Sequence, residues 1–254
     1  MRERISITMK KELLEKVDLF VDGVKIRNRS HAIEVLLERA LTKKLPPVYI
    51  LAGEADKCMR RIEGKPLLQH TLELLSRQGF DEITIAAIGD EIEKYFRDGS
   101  GLGLKIRYVK ERELSGTANA LLSSQALWEG SFVVLYGDNY FDFDLKDIVE
   151  FHRNSGRVGT VVLTTSGRPG DYGVIELRGD MVVGFNEKPD DAKSYLVSTG
   201  IFLFEPELFD FIGDAISLER EVLARLVRKG VLSGYVADGK WVSGDEYGKE
   251  SLKR

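Results

Sequence analysis

Residues 132–139 read Phe-Val-Val-Leu-Tyr-Gly-Asp-Asn: an unbroken run of apolar and aromatic side chains, then a turn-forming glycine and a carboxylate. Five residues suit a strand better than a helix, and no polar residue alternates within the run. It reads as a strand buried on both faces, central in a parallel sheet. Ligands of such sheets gather beyond the carboxyl ends of the strands, which is where Asp138 stands. Taken alone, Gly137-Asp138 is equally a polar turn closing a buried strand.

Outward from this run the same alternation repeats. Val48-Tyr-Ile-Leu-Ala-Gly53 is a second short apolar run ending in glycine. Helical spacing is expected over 66–78, 90–97 and 117–128, with strands over 82–88 and 105–109. After Asp144 the pattern predicts strands over 159–165, 173–177, 181–186 and 198–204. Helical segments over 206–212 and 218–229 and a last strand near 231–237 complete it. The fold class is therefore α/β: a doubly wound, mostly parallel sheet occupying residues 46–254. Pro46-Pro47 breaks the preceding helix and marks a domain boundary, leaving residues 1–45 as a separate module.

That module begins with strict alternation, Ile5, Ile7 and Met9 on one side and Arg4, Ser6 and Thr8 on the other. A lone strand leaves its backbone groups unpaired, so a second copy of the chain is the expected partner. A helix from about Lys11 to Val21 follows, ended by Asp22-Gly23. Asn28 is a good N-cap for a second helix carrying Ala32, Ile33, Leu36, Leu37 and Leu41. Strand, helix and helix together resemble the ribbon-helix-helix repressors. That resemblance implies a homodimer with DNA as partner: Arg4, Ser6 and Thr8 reading bases, and Asn28, Arg29 and Ser30 clamping a phosphate. Charge agrees: residues 1–44 hold 11 Lys and Arg against 7 Asp and Glu, while the other 210 hold 26 against 34.

A single cysteine, Cys58, excludes an internal disulfide framework and suits a reducing, cytoplasmic setting. Three scattered histidines and that cysteine form no zinc-type spacing. No apolar run is long enough to cross a bilayer.

Several strings in the larger domain, in order, resemble the sugar-1-phosphate nucleotidyltransferases. They are Leu51-Ala52-Gly53, Gly64-Lys65-Pro66-Leu67-Leu68, Gly116-Thr117-Ala118, Val134-Leu135-Tyr136-Gly137-Asp138-Asn139, Tyr172-Gly173-Val174, Glu187-Lys188-Pro189, Ser198-Thr199-Gly200 and Trp241. The likeness spans about residues 48–245 and implies a Rossmann-like, glycosyltransferase-A-like sheet. It implies nucleotide binding by Ala52, Gly53, Gly116, Thr117 and Ala118. Sugar binding falls to Gly173, Glu187, Lys188, Thr199 and Gly200, and Mg²⁺ to Asp138.

The chain also departs from that pattern. Only ten residues, Glu54 to Glu63, separate Gly53 from Gly64, and they include three acids and no glycine. Trp241-Val242-Ser243 puts serine where the resemblance implies a second metal-binding aspartate, and Glu111 stands where a glutamine is implied. Glu54 and Asp56 would lie near triphosphate oxygens, and like charges repel. These departures lead to a DNA-binding transcriptional regulator as the expected function. Its degraded nucleotidyltransferase-like domain would sense a nucleotide, sugar phosphate or nucleotide-sugar. The alternative is an active sugar-1-phosphate nucleotidyltransferase using Asp138, Asp245 and Lys57 or Arg60, with the N-terminal module joining subunits.

Overall fold

A computed structural model describes residues 6–21, 23, 26–41, 44–111, 115–244 and 246. The chain divides into two compact units, Met1–Lys44 and Leu45–Arg254.

In the first unit, helix α1 spans Lys11–Asp18 and helix α2 Arg29–Leu41. Asn28 does cap α2, its Oδ1 accepting the His31 N–H at 3.0 Å. Arg29 is bound bidentately to Asp18 at 2.6 and 2.7 Å. Arg4 lies outside the described residues. Ser6 and Thr8 are exposed, and the described residues 6–10 carry no strand. The ribbon of a ribbon-helix-helix module is thus not shown: within one chain a single short segment has no neighbour to supply ladder hydrogen bonds.

The second unit is a nine-stranded sheet. Strand β1 (Val48–Gly53) leads through a short helix, α3 (Ala55–Cys58), and a small hairpin, β2 (Arg61–Ile62) with β3 (Lys65–Pro66), into helix α4 (Leu67–Arg77). Then follow β4 (Glu82–Ile88), α5 (Glu91–Phe96), β5 (Lys105–Glu111), α6 (Thr117–Ser123) and β6 (Phe132–Tyr136). Beyond a two-residue strand, β7 (Tyr140–Phe141), come α7 (Leu145–Ser155), β8 (Gly159–Thr165), β9 (Gly173–Arg178), β10 (Met181–Glu187) and β11 (Leu196–Phe204). A π-type turn, Leu218–Leu223, runs into α8 (Ala224–Lys229), before β12 (Leu232–Val236) and β13 (Trp241–Val242).

The order across the sheet is β5-β4-β1-β6-β11-β8-β12-β10-β9. From β5 to β6 every pairing is parallel. Strand β11 then enters antiparallel between β6 and β8, and β10 runs antiparallel to both β12 and β9. The expectation of a mostly parallel sheet is therefore corrected to a mixed one. Strands β9 and β10 are joined by the two-residue turn Gly179-Asp180, which only an antiparallel pair can use.

Side chains alternate along β1 as a buried strand requires. Val48, Ile50 and Ala52 join the core shared with α4, α5 and α7, and Tyr49 joins the opposite core with α6 and α8. The strand order reverses between β1 and β6, and the crevice of such a sheet opens at that switch point.

Candidate active site

Two cavities, each about 480 Å³, open around the ends of these strands and share Tyr136 and Asp138 as a common wall. The first lies over β1, β5 and the start of α6. Ala52, Gly53, Lys57, Glu111, Gly116 and Thr117 line it. The second lies over β9, β10 and β11, with Gly173, Glu187, Lys188, Thr199, Gly200 and Trp241 in its wall. Ala118, grouped by sequence with Gly116 and Thr117, is fully buried and lines neither cavity. Its N–H is spent on the Ile216 carbonyl at 3.0 Å.

The turn before α6 is held by shape. Gly116 has φ +95°, and a Cβ there would lie 2.4 Å from the Ile216 carbonyl oxygen. The Thr117 hydroxyl accepts the Leu218 N–H at 2.9 Å and donates to the Glu219 carboxylate at 3.2 Å. Glu219 also lines the second cavity, so this hydroxyl ties the two sides together. Burial pushes the Glu219 carboxyl above the usual range.

In the second cavity, Lys188 has φ +47°, a conformation costly for a residue with a side chain. Its N–H donates to the Tyr172 carbonyl at 3.0 Å, which holds the strained turn. Burial raises the carboxyl of half-buried Glu187. The Thr199 hydroxyl is turned inward, donating to the Val162 carbonyl at 2.9 Å. Thr199 therefore meets the cavity through its backbone. Its carbonyl accepts both Asn139 Nδ2 at 2.8 Å and the Trp241 indole N–H at 2.9 Å. Trp241 is thus more than packing: it ties the carboxyl-terminal segment to the turn carrying Asp138. Gly200, at φ +72°, leaves room for the Tyr136 ring, which an added Cβ would meet at 2.5 Å.

Gly244 packs directly on Asp138, since a Cβ there would lie 2.9 Å from the Asp138 Cβ. Arg60 Nη1 donates to the Gly244 carbonyl at 3.0 Å. The loop after β1 thereby delivers Arg60 to the segment beside Asp138, and Lys57 to the wall of the first cavity. Glu54 and Asp56 line that cavity too. Burial, with the Asp138 charge second, pushes the Cys58 thiol up to about 12, so it is neutral at pH 7. Lys65 is engaged elsewhere, with Glu73 at 2.8 Å. Ser243 lines the second cavity, and Asp245 lies outside the described residues.

Sequence reasoning missed Arg168, Glu219 and Glu246, all in the second wall. Arg168 pairs with Glu246 across 78 positions of chain, a closeness with no local signal.

The family model for nucleotidyl transferases matches residues 50–241. The chain belongs to this family. Among curated relatives, the UTP–glucose-1-phosphate uridylyltransferase of Synechocystis is 34% identical over 196 residues, covering 69% of this chain and 50% of the relative. The mannose-1-phosphate guanyltransferase beta-A of Xenopus laevis is 33% identical over 187 residues, covering 70% and 52%. The chain thus spans about half the length of these relatives. In fold it is similar to HddC from Yersinia pseudotuberculosis, with a TM-score of 0.71, 23% identity, and 82% and 99% of the two chains covered. A UDP-glucose pyrophosphorylase complexed with UDP-glucose gives a TM-score of 0.67 at 19% identity, covering 82% and 99%.

These relatives overturn the expected DNA-binding regulator and its DNA partner, because they are named for nucleotidyl transfer to sugar phosphates. The physical error lay in treating side chains as isolated. Arg29, assigned to a DNA phosphate, is held by Asp18, and the loop read as too acidic for a triphosphate also brings Lys57 to the first cavity and Arg60 to the Gly244 carbonyl beside Asp138. No helix of the described residues is long and apolar enough to cross a membrane.

Proposed function

We propose that this chain is a sugar-1-phosphate nucleotidyltransferase, converting a nucleoside triphosphate and a sugar 1-phosphate to a nucleoside-diphosphate sugar and pyrophosphate. The observation that carries it is the meeting of two cavities at Asp138 and Tyr136. One substrate fills each cavity, and the reacting phosphates meet at the shared wall. A phosphate oxygen of the sugar 1-phosphate attacks the α-phosphorus, and the bond from that phosphorus to the β-phosphate bridging oxygen breaks. Pyrophosphate carries away the electron pair. Holding both reactants in contact removes most of the entropic barrier.

The nucleotide lies along Ala52, Gly53, Gly116 and Thr117, and the sugar phosphate against Gly173, Glu187, Lys188 and the Thr199-Gly200 backbone. Lys188 is fixed by its strained turn and Lys57 lines the other wall. They supply positive charge where negative charge develops, which is the main source of catalysis in phosphoryl-type transfer.

Glu54, Asp56 and Asp138 make the first cavity acidic, so a bare triphosphate is poorly matched to it. Mg²⁺ is commonly held by one or two carboxylates together with substrate phosphates. Among the described residues no three His, Cys, Asp or Glu side chains cluster to hold a metal alone, and Asp138 fits the single-carboxylate role. When bound there, Mg²⁺ neutralises phosphate charge and orients the phosphates for in-line displacement.

The N-terminal unit acts as a dimerisation element. Its Ile7, Leu13, Leu19, Phe20 and Leu37 are exposed, while Val17 and Ala32 are its buried apolar side chains among the described residues. The test of function is pyrophosphate release from each nucleoside triphosphate with hexose 1-phosphates and Mg²⁺. Turnover supports the reading, and its absence across all pairs contradicts it.

A further inference from the structure

The segment before α8 holds the turn that shapes the first cavity and also reaches the second. Gly116 packs on the Ile216 carbonyl, which accepts the Ala118 N–H at 3.0 Å. The Leu218 N–H donates to the Thr117 hydroxyl at 2.9 Å. That hydroxyl in turn donates to Glu219 Oε2, but at 3.2 Å. Ser217 Oγ reaches the same oxygen, also at 3.2 Å. Hydroxyl-to-carboxylate bonds usually close to about 2.5–2.7 Å, so both partners hold this carboxylate slackly. Burial raises its carboxyl, as expected where donors do not fully offset the charge.

The backbone that carries Glu219 is divided as well. The Ser217 carbonyl accepts the Glu221 N–H at 3.3 Å, the α-helical bond, and the Val222 N–H at 3.4 Å, the π-type bond. Neither is short, so the turn Leu218–Leu223 stands between two helical arrangements. Single π-type turns of this kind recur at functional sites. Glu219 lines the second cavity and Thr117 the first. A ligand donor that reaches Glu219 therefore acts on a carboxylate already bonded to the turn of the other cavity.

We infer that Glu219 is a positioning residue that couples the two cavities. A sugar phosphate in the second fixes its carboxylate, which fixes Thr117 and with it the turn against the nucleotide. Sugar hydroxyls suit this task, since they donate and an ionised carboxylate only accepts. Ordering Glu219 once serves both ligands, so whichever binds second loses less freedom. The effect is reciprocal: each ligand tightens the other by the same factor. Either ligand alone meets the slack link, so the cavities bind independently until both are filled. This role rests on the proposed function and adds to it a link between its two substrates.

The test is calorimetry on the full chain with Mg²⁺, beside pyrophosphate release with natural substrates. The ligands are glucose 1-phosphate, mannose 1-phosphate, and ATP, GTP, CTP and UTP analogues with methylene in place of the α,β-bridging oxygen. These analogues bind but cannot transfer. A saturating sugar phosphate should tighten analogue binding by about fivefold or more, and the converse titration should give the same factor. Thr117→Val, which removes the hydroxyl, should bring that factor close to one, while Thr117→Ser should keep most of it. Glu219→Ala should abolish it from the other side, so a Thr117→Val chain that fails to fold does not remove the test. Melting temperatures show which variants fold. A merely structural role would weaken single affinities and leave the factor unchanged. Binding of both ligands with no mutual effect, or a factor unaltered in either variant, overturns the coupling even if pyrophosphate is released. Coupling that both variants lose, without pyrophosphate release, upholds it and overturns the transfer reaction instead. Failure of every pair to bind defeats both.

Discussion

The two cavities share a wall and differ in how they are built. The first cavity, proposed for the nucleotide, hangs from the ends of parallel strands, and its groups sit on loops: the turn at Gly116-Thr117 and the segment after Gly53. The second, proposed for the sugar phosphate, is cut into antiparallel strands β9, β10 and β11, where Gly173, Glu187 and Gly200 belong to the sheet itself. A loop-built wall tolerates changes of sequence, and it is here that this chain departs most from the pattern it resembles. A sheet-built wall tolerates few, because each side chain is fixed by register. The difference teaches that short strings are retained where backbone geometry leaves little choice.

Three perturbations break or sharpen that contrast. The largest effect is expected from Gly116→Ala, whose Cβ collides with the Ile216 carbonyl at 2.4 Å and must move the whole turn. Displacements of this size cost about 100-fold in rate, read as lost pyrophosphate release together with lost nucleotide binding by calorimetry. Next, Lys188→Ala should cut kcat/KM for the sugar phosphate by about tenfold or more, by removing one preorganised cation. Nucleotide affinity should remain within a factor of two, since Lys188 lines the other cavity. A comparable loss of nucleotide binding would show that the walls do not act separately.

The smallest effect concerns pH. Burial raises the Glu187 carboxyl, so it takes up its proton at higher pH than a free glutamate. Sugar-phosphate KM should therefore rise a few-fold as pH falls toward that raised pKa, and Glu187→Gln should flatten the profile. The stability consequence has the opposite sign. A raised acid pKa means the native state binds the proton more readily, so protonating Glu187 favours folding. A KM that falls with acidification would contradict the assignment.

Much of the fold was legible because apolar runs identify buried strands: β1, β4 and β6 fall at or near the expected bounds. Helix α7 was missed although its signals were present. Asp144 caps it, accepting the Lys146 N–H at 2.8 Å, and Gly156 ends it in the left-handed region. The two-residue strands β7 and β13 could not be read, since their pairing joins Tyr140-Phe141 to Trp241-Val242, a hundred positions away. The same limit affected the site. Arg60 reaches Gly244 across 184 positions, and Glu219 reaches Thr117 across 102. Local strings showed which loops matter, whereas the charges that complete the site depend on long-range folding.

Pyrophosphate release by the unaltered chain and by Asp138→Ala, with Mg²⁺, a nucleoside triphosphate and a sugar 1-phosphate, tests the shared wall most directly. The account predicts clear turnover that falls by about 100-fold or more in the variant while its melting temperature is maintained. Equal turnover in both proteins, or none in either, would contradict it.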